Sequence, residues 1–312
     1  MSTDAIEIIM NSWSTGTKKN YNPHINAWSS YCKNKGVDMQ SAITDVKLGI
    51  EFLTHIFRVK NLGYSAVNSA RSALSTIIIT GNNLTFGKQP LVCRLLKGMF
   101  REKPSLPRYT VTYDVNVVLK HLKNIDMNNI SLKQLTLKVV TLLCFLTGHR
   151  DQSLNEIDLK SMFKDNQKIV FYIPAILKNT TPRFHTKPMI LISYPDPSLC
   201  IVNHIDAYIK ATKELRGDTT KLFISIVPPH KKVTTSTISR WVKEMLKAAG
   251  ININTFSSHS TRAAATSQAK VKGLSLDEIR AAAGWANGTT FAKHYDKVIV
   301  KNFGQTIQSN ID

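Results

Sequence analysis

The feature that most restricts the fold is a run over residues 131–147 that is apolar on most sides of a helix. Its large apolar members are Leu135, Leu137, Val139, Val140, Leu142, Leu143, Phe145 and Leu146. A helix that is apolar nearly all round must be covered by other elements. The run therefore predicts a central, buried helix, and Gly148 is predicted to end it.

The first hundred residues show the periodicity of helices rather than of strands. Tyr21, Ile25, Trp28 and Cys32, for example, recur at spacings of four, three and four. Such spacing predicts four or five helices, the clearest of them over residues 17–32, 45–57, 65–79 and 91–100. Pro23 lies inside the first of these.

Two segments after the central run have the composition of strands. Residues 168–173 and 189–194 are rich in β-branched and apolar residues, and a polar, basic stretch separates them, which predicts a hairpin. Helices are predicted again over 237–249 and 275–283, the second opening with a capping box of Ser275 and Glu278. We expect a mainly α fold with a small antiparallel β-sheet.

The stretch R-E-K-P-S-L-P-R-Y, residues 101–109, combines two prolines with basic residues. Proline disfavours helix in the residue before it, so the stretch predicts an extended, positively charged connector. The length of 312 residues suits two domains that each bury a core. We therefore predict a helical domain over 1–102 and a second domain over 103–312.

The charge of the chain favours nucleic acid as its partner. Lys and Arg number 41 against 21 Asp and Glu, a net charge of +20. An anionic membrane surface is the alternative, but no run of about 18 apolar residues is present and no lipid anchor is predicted. Four widely spaced cysteines without a C-x-x-C pair argue against a zinc site and against disulfides, and predict a reducing, intracellular compartment.

Several cations are placed where they can meet one phosphate. His259 and Arg262 in S-S-H-S-T-R are three positions apart, so on a helix both point the same way. Arg150 follows the glycine that ends the central helix; alone, it is more simply a charge that complements the helix dipole. No acidic cluster suited to two-metal chemistry is apparent, so we expect no metal and no other cofactor.

The motifs T-G-H-R, a basic β-turn, H-S-T-R, A-A-G-W and H-Y-D-K follow one another in this order. In this the chain resembles the tyrosine recombinase, or phage integrase, family over about residues 106–300. The segment A-G-W-A-N-G-T-T-F-A-K-H-Y looks closest to the recombinases of DIRS-type retrotransposons and Cryptons. The resemblance implies a helical core-binding domain followed by an α+β catalytic domain.

The resemblance also implies roles for six residues. Tyr295 attacks the scissile phosphorus and forms a 3′-phosphotyrosyl link, while Arg150 and Arg262 hold the non-bridging oxygens. Lys178 is the general acid, with Lys187 as the alternative. His259 assists proton transfer, and Trp285 packs against the site and donates its indole N–H. The family often has Asp or Glu three positions after the first arginine, where this chain has Ser153.

Basic helix faces are expected to hold double-stranded DNA between the two domains, through Lys18, Lys19, Arg71, Arg94, Lys97, Arg101, Lys231, Lys232 and Arg240. By the family resemblance, we expect a homodimer on each site and a homotetramer in the synaptic complex. The apolar tail over 298–312 is expected to dock on a neighbouring subunit. The expected function is site-specific recombination for a mobile element, in the nucleus if the host is eukaryotic. The alternatives are a type IB topoisomerase and a silent, domesticated DNA-binding protein.

Overall fold

The structure, a computed structural model, describes residues 2–81, 83–106, 109–178, 180–185, 187–285 and 295–300. It divides into two compact units, Met1–Pro107 and Arg108–Asp312. This division lies five residues after the predicted boundary, inside the predicted connector. Among the described residues, no helix is both long enough and apolar enough to cross a membrane.

The first unit is built from helices. Its described residues form α1 (Thr3–Met10), α2 (Thr15–Asn34), α3 (Met39–Ala42), α4 (Val46–Arg58), α5 (Tyr64–Leu74) and α6 (Pro90–Glu102). Helix α2 continues through Pro23. The core of the unit joins α2, α4, α5 and α6 through buried residues such as Trp28, Leu53, Leu74 and Leu96.

Helix α5 ends at Leu74, five residues before the predicted end at 79. The sequence S-T-I-I-I-T that follows is rich in β-branched residues, which fit a helix poorly. Two hydroxyls there donate to helix carbonyls, Ser75 Oγ to Arg71 O at 2.7 Å and Thr76 Oγ1 to Ala73 O at 2.6 Å. The chain then leaves the helix, so the prediction for 75–79 was wrong.

The second unit surrounds the predicted central helix. Its described helices are α7 (Val115–Lys123), α8 (Leu132–Thr147), α9 (Asp151–Asn155), α10 (Ile201–Thr212), α11 (Thr235–Ala248), α12 (Ser258–Val271) and α13 (Leu276–Ala282). Helix α8 packs against α9, α10, α11 and α12, as expected for a helix apolar on most sides. Ser131 and Gln134 cap its start, and Gly148 ends it with a left-handed φ of 59°.

Two small sheets complete the second unit. Strands β2 (Met162–Lys164), β3 (Lys168–Phe171) and β4 (Met189–Ile192) form the antiparallel sheet that the sequence predicted, with β2 as an additional strand. A parallel pair joins β1 (Val111–Tyr113) to β5 (Val298–Val300). The start of the tail, residues 298–300, thus pairs with β1 of its own chain, while residues 301–312 lie outside the described residues.

Candidate active site

A cleft of about 480 Å³ opens where α9, α11 and α12 meet. The cations Arg150, Arg240, Lys243 and Arg262 line it, together with His259. Three of the six predicted catalytic residues therefore share one concave surface, and two further cations lie beside them. The cleft can accommodate an anion, because cations approach it from three different helices.

Arg150 reaches the cleft because of the sharp end of α8. Gly148 takes a left-handed conformation that a residue with a Cβ rarely adopts, and Arg150 is the N-cap residue of α9 two positions later. The intervening His149 is buried, and burial, aided by Arg262 and Arg150, lowers its pKa to about 4. His149 is therefore neutral near pH 7, so it adds no charge to the cleft.

Arg262 lies on α12 and is almost completely buried, with 1% of its surface exposed. Its Nη2 donates to Ala283 O at 2.8 Å, whereas Nε and Nη1 have no hydrogen-bond partner among the described residues. Burial, with a further contribution from Arg150, lowers the pKa of Arg262 to about 9. The guanidinium is still charged near pH 7, so it retains two buried donors that an anion can satisfy.

Trp285 and Tyr295 stack on each other beside Arg262. Their ring centroids are 4.9 Å apart, with 24° between the ring planes. The Cζ of Arg262 lies 4.7 Å from the Trp285 ring centre and 5.2 Å from that of Tyr295. These cation–π contacts offset part of the cost of burying the guanidinium.

The phenol of Tyr295 meets His259 of the same chain, with Oη 3.2 Å from Nε2. The backbone at Tyr295 is held by Ser267 on α12, whose Oγ donates to Tyr295 O at 2.8 Å and accepts from Lys297 N at 3.0 Å. Strand β5 begins one residue later. One helix therefore carries His259 and Arg262 and also fixes the chain on the C-terminal side of the tyrosine.

Burial lowers the pKa of His259 below its usual value; Arg262 lowers it further, and Asp151 acts in the opposite direction. Arg150 and Lys178 also lower this pKa, so both cations are close enough to influence the imidazole. The imidazole is neutral near pH 7. A neutral ring with an unprotonated Nε2 can accept a proton from the Tyr295 hydroxyl.

Asp151 is the residue that sequence reasoning missed. Its carboxylate accepts hydrogen bonds from Ser258 Oγ, at 3.0 Å and 2.8 Å, and from Ser239 Oγ. Ser153, at the position where the family often has an acid, is buried in α9. A carboxylate directly after Arg150 was visible in the sequence, but its serine partners are 88 and 107 positions away and gave no local signal.

Lys178 lies in the loop between β3 and β4 and is exposed. A hydrogen bond from Leu177 N to Thr180 Oγ1 at 2.9 Å shapes the loop around it. Lys187, the alternative, lines a different depression, which it shares with Leu146 and Met189. Lys178, unlike Lys187, is one of the charges that lower the pKa of His259. This favours Lys178 as the lysine nearer the site.

Seven of the nine basic residues predicted to hold DNA are exposed: Lys19, Arg94, Lys97, Arg101, Lys231, Lys232 and Arg240. Lys18 and Arg71 are half-buried. Arg71 Nη1 donates to Gly87 O at 3.3 Å, which ties this guanidinium to its own unit. In the part of the chain that the structure describes, no group of three or more His, Cys, Asp and Glu side chains is arranged to hold a metal ion.

Residues 114–301, more than half of the chain, match the family model described as the phage integrase family. The chain belongs to the phage integrase family. This membership confirms the predicted class of enzyme, a tyrosine-type DNA strand transferase, and includes all six predicted catalytic residues in the matched range. No curated protein matches the chain.

Solved structures of low sequence identity share the fold of this phage integrase family member. XerH site-specific recombinase bound to palindromic difH substrate is 15% identical, with a TM-score of 0.58 over 94% of this chain and 78% of that one. The Tn1549 transposon integrase with transposon right end DNA is 12% identical, with a TM-score of 0.56 over 92% and 98%. A lambda integrase dimer bound to a COC′ core site is 15% identical, with a TM-score of 0.54 over 96% and 98%.

Proposed function

We propose that the chain is a site-specific DNA recombinase that cleaves and rejoins DNA through a 3′-phosphotyrosyl intermediate on Tyr295. One observation carries the proposal: a charged, buried Arg262 has two donor nitrogens, Nε and Nη1, without a hydrogen-bond partner among the described residues, directly beside the phenol of Tyr295. A buried cation that its own protein leaves partly unsatisfied costs stability, so it is best explained by an anionic substrate. A DNA phosphate is that anion.

The cleavage step follows from the contacts. Tyr295 Oη forms a bond to phosphorus as its proton passes to His259 Nε2, 3.2 Å away. The bond from phosphorus to the 5′ oxygen breaks, and Lys178 donates a proton to that oxygen. Rejoining reverses these steps with a 5′ hydroxyl as nucleophile. The phosphodiester energy is retained in the tyrosyl link, so no nucleotide cofactor is needed.

The other predicted residues stabilise charge. Arg150 and Arg262 contact the non-bridging oxygens, where negative charge grows in the transition state. Trp285 packs on Arg262, 4.7 Å from its Cζ to the ring centre, and donates its indole N–H to the phosphate. Asp151 accepts hydrogen bonds from two serines and thereby orients the start of α9, where Arg150 is the N-cap residue.

Double-stranded DNA is the proposed substrate, held by the exposed basic residues described above. The net charge of +20 predicts binding that weakens steeply with salt. The XerH, Tn1549 and lambda structures all contain DNA, and the lambda protein is a dimer on its site. By analogy we propose one dimer per site and a tetramer of two dimers in the synaptic complex.

The proposed biological role is integration or excision of a mobile element. The A-G-W-A-N-G-T-T-F-A-K-H-Y segment supports a source among eukaryotic elements of the DIRS and Crypton kinds, and hence action in the nucleus. The Tn1549 protein, a transposon integrase, shares the fold and is consistent with a mobile element of some kind.

The test starts with selection of bound duplexes from a random library, which supplies a target site. A nicked suicide duplex carrying that site is then incubated with wild-type protein, Tyr295→Phe and a control, Tyr172→Phe. Tyr172 is exposed and lies outside the cleft. We expect a covalent adduct with wild type and with the control, and none with Tyr295→Phe.

Other outcomes would contradict the proposal. Specific binding without any adduct from the wild-type protein would indicate a DNA-binding protein that has lost the reaction. Relaxation of supercoiled plasmids that lack the selected site would indicate a topoisomerase instead. An adduct that persists in Tyr295→Phe would show that another residue is the nucleophile.

A further inference from the structure

A loop with an exposed apolar tip lies just before α11. Val227, Pro228 and Pro229 are exposed, and Val227 exposes 65% of its surface. Ile226, directly before them, is partly buried against the core of the second unit, so the loop is anchored at its base. A single exposed valine is ordinary on a protein surface. This one, however, sits at the end of a fixed loop between two cations.

Hydrogen bonds within the loop hold the tip in one conformation. Ser225 Oγ donates to Val227 O at 2.8 Å and accepts from Val227 N at 3.3 Å. His230 N donates to the same Val227 carbonyl at 3.2 Å, and His230 Nδ1 donates to Ser225 O at 2.9 Å. A loop that is ordered before binding loses little conformational entropy when it binds.

Two lysines flank the tip. Ile224 and Lys232 form an antiparallel bridge below it, and Ser225 N donates to Lys231 O at 2.8 Å, which continues the pairing towards the tip. Successive side chains of an extended segment point to opposite faces. Lys231 and Lys232 are both exposed, so one cation lies on each side of the loop.

The loop is close to the cleft. Three residues after Lys232 the chain enters α11 at Thr235, which lines the cleft together with Arg240 and Lys243. Three residues span at most about 10 Å. When a DNA phosphate occupies the cleft, the base pairs next to it are therefore within reach of the loop.

The size and the charge of the tip fit DNA better than a protein. Stable protein interfaces bury about 800 Å² on each partner, which is far more than three apolar residues supply. A base step is small enough to be opened by such a tip. The minor groove is also bordered by two phosphate strands, which cations on both sides of a loop can contact. Apolar side chains, including proline, that enter this groove partly unstack a base step and kink the duplex.

We propose that Val227 and Pro228 enter the minor groove beside the cleaved phosphate and open one base step, while Lys231 and Lys232 contact the phosphates on either side. The proposal rests on DNA as the substrate of the cleft. It adds a sequence preference that needs no hydrogen bond to a base. Pyrimidine–purine steps unstack most easily, so the protein should favour such a step at the position of the tip.

The first test is selection of bound duplexes from a random library with wild type, Val227→Ser and a control, Val271→Ser. Val271 is equally exposed, at 66%, and is the last residue of α12. We expect a pyrimidine–purine step at one position of the wild-type and control sites, and no preference there with Val227→Ser. A stiff step at this position should weaken wild-type binding about tenfold and leave Val227→Ser unaffected. The same preference in wild type and Val227→Ser, or none in either, overturns the proposal.

The second test measures unstacking with 2-aminopurine placed at that step, because its fluorescence rises when the base leaves the stack. We expect a rise with wild type and with Val227→Leu, which keeps the tip apolar, and none with Val227→Ser. Lys231→Ala/Lys232→Ala should weaken binding to all sequences alike and leave the step preference unchanged. A rise that persists in Val227→Ser would show that another part of the chain opens the step.

Adduct formation separates this proposal from the proposed function. Val227→Ser retains Tyr295 and the cations of the cleft, so it should still form the covalent adduct on the selected duplex. A wild-type protein that forms the adduct but neither prefers nor unstacks a step contradicts the role of the tip alone. A wild-type protein that binds no DNA contradicts both proposals.

Discussion

Replacing Arg262 by methionine separates the functional role of this side chain from a structural one. Methionine is unbranched and uncharged, and it reaches about as far as the Nε atom of arginine. It removes the guanidinium of a residue that is 1% exposed, in which two donor nitrogens have no partner among the described residues. If the guanidinium is present to bind an anionic substrate, Arg262→Met should lose strand cleavage. The variant without DNA should then have a higher free energy of unfolding than wild type.

The size of the gain follows from the contacts of Arg262. Lowering its pKa from 12.5 to about 9 corresponds to about 5 kcal/mol by which the folded protein disfavours the charge. The Arg262→Met variant would lose the hydrogen bond to Ala283 O, worth about 2 kcal/mol. It would also lose cation–π contacts with Trp285 and Tyr295, worth about 1 kcal/mol each. The difference is a stabilisation of about 1 kcal/mol, or about 2–4 °C in Tm.

Thermal unfolding at pH 7 in a buffer without phosphate measures this difference. Arg240→Met, which replaces an exposed cation of the same cleft, is the control and should leave the Tm unchanged. The folded wild-type protein is destabilised by the charge on Arg262 only while the guanidinium is protonated. The stability advantage of Arg262→Met should therefore shrink as pH rises above about 9, where the folded wild-type protein loses this proton. Added phosphate should raise the Tm of wild type but not that of Arg262→Met. A loss of about 3 kcal/mol or more in Arg262→Met would refute the reasoning, since it would indicate a fully paired cation.

Three further outcomes are expected. Ser267→Ala should slow adduct formation about tenfold without changing DNA affinity, because it removes the hydrogen bonds of Oγ to Tyr295 O and from Lys297 N. An unchanged single-turnover rate of adduct formation would contradict this positioning role. Burial lowers the pKa of His259 below 6.5, so the cleavage rate should stay constant as pH falls to 6.5 and decline only at lower pH. A decline in the rate with its midpoint at or above pH 6.5 would count against His259 as the proton acceptor. Lys231→Ala should reduce the salt slope of DNA binding by about 1, and an unchanged slope would remove this lysine from the DNA contact.

The fold was predictable where local periodicity and burial agree. The central helix could be inferred from residues 131–147 because a helix with so many apolar sides must lie in a core, and Gly148 gave its end. Strands β1 and β5 could not be inferred in the same way. Each has three residues, and their parallel pairing joins segments at opposite ends of the second unit. Such pairing depends on the whole domain rather than on local sequence.

The candidate site was predictable to the extent that residues lie at helical spacing or in ordered motifs. His259 and Arg262 share one side of α12, as their spacing of three indicated. Asp151 and Ser267 act through partners far away in sequence, so no motif revealed them. No motif revealed the lowered pKa of Arg262 either, because burial is its main cause and burial depends on the tertiary fold.

The central claim is that the phenol of Tyr295 becomes bonded to a DNA phosphate held by the surrounding cations. Peptide mapping by mass spectrometry of the trapped adduct tests this most directly, because it identifies the modified side chain. We predict a nucleotide linked through its 3′ phosphate to Tyr295 and to no other tyrosine. Attachment to a different residue, or through a 5′ phosphate, would contradict the account.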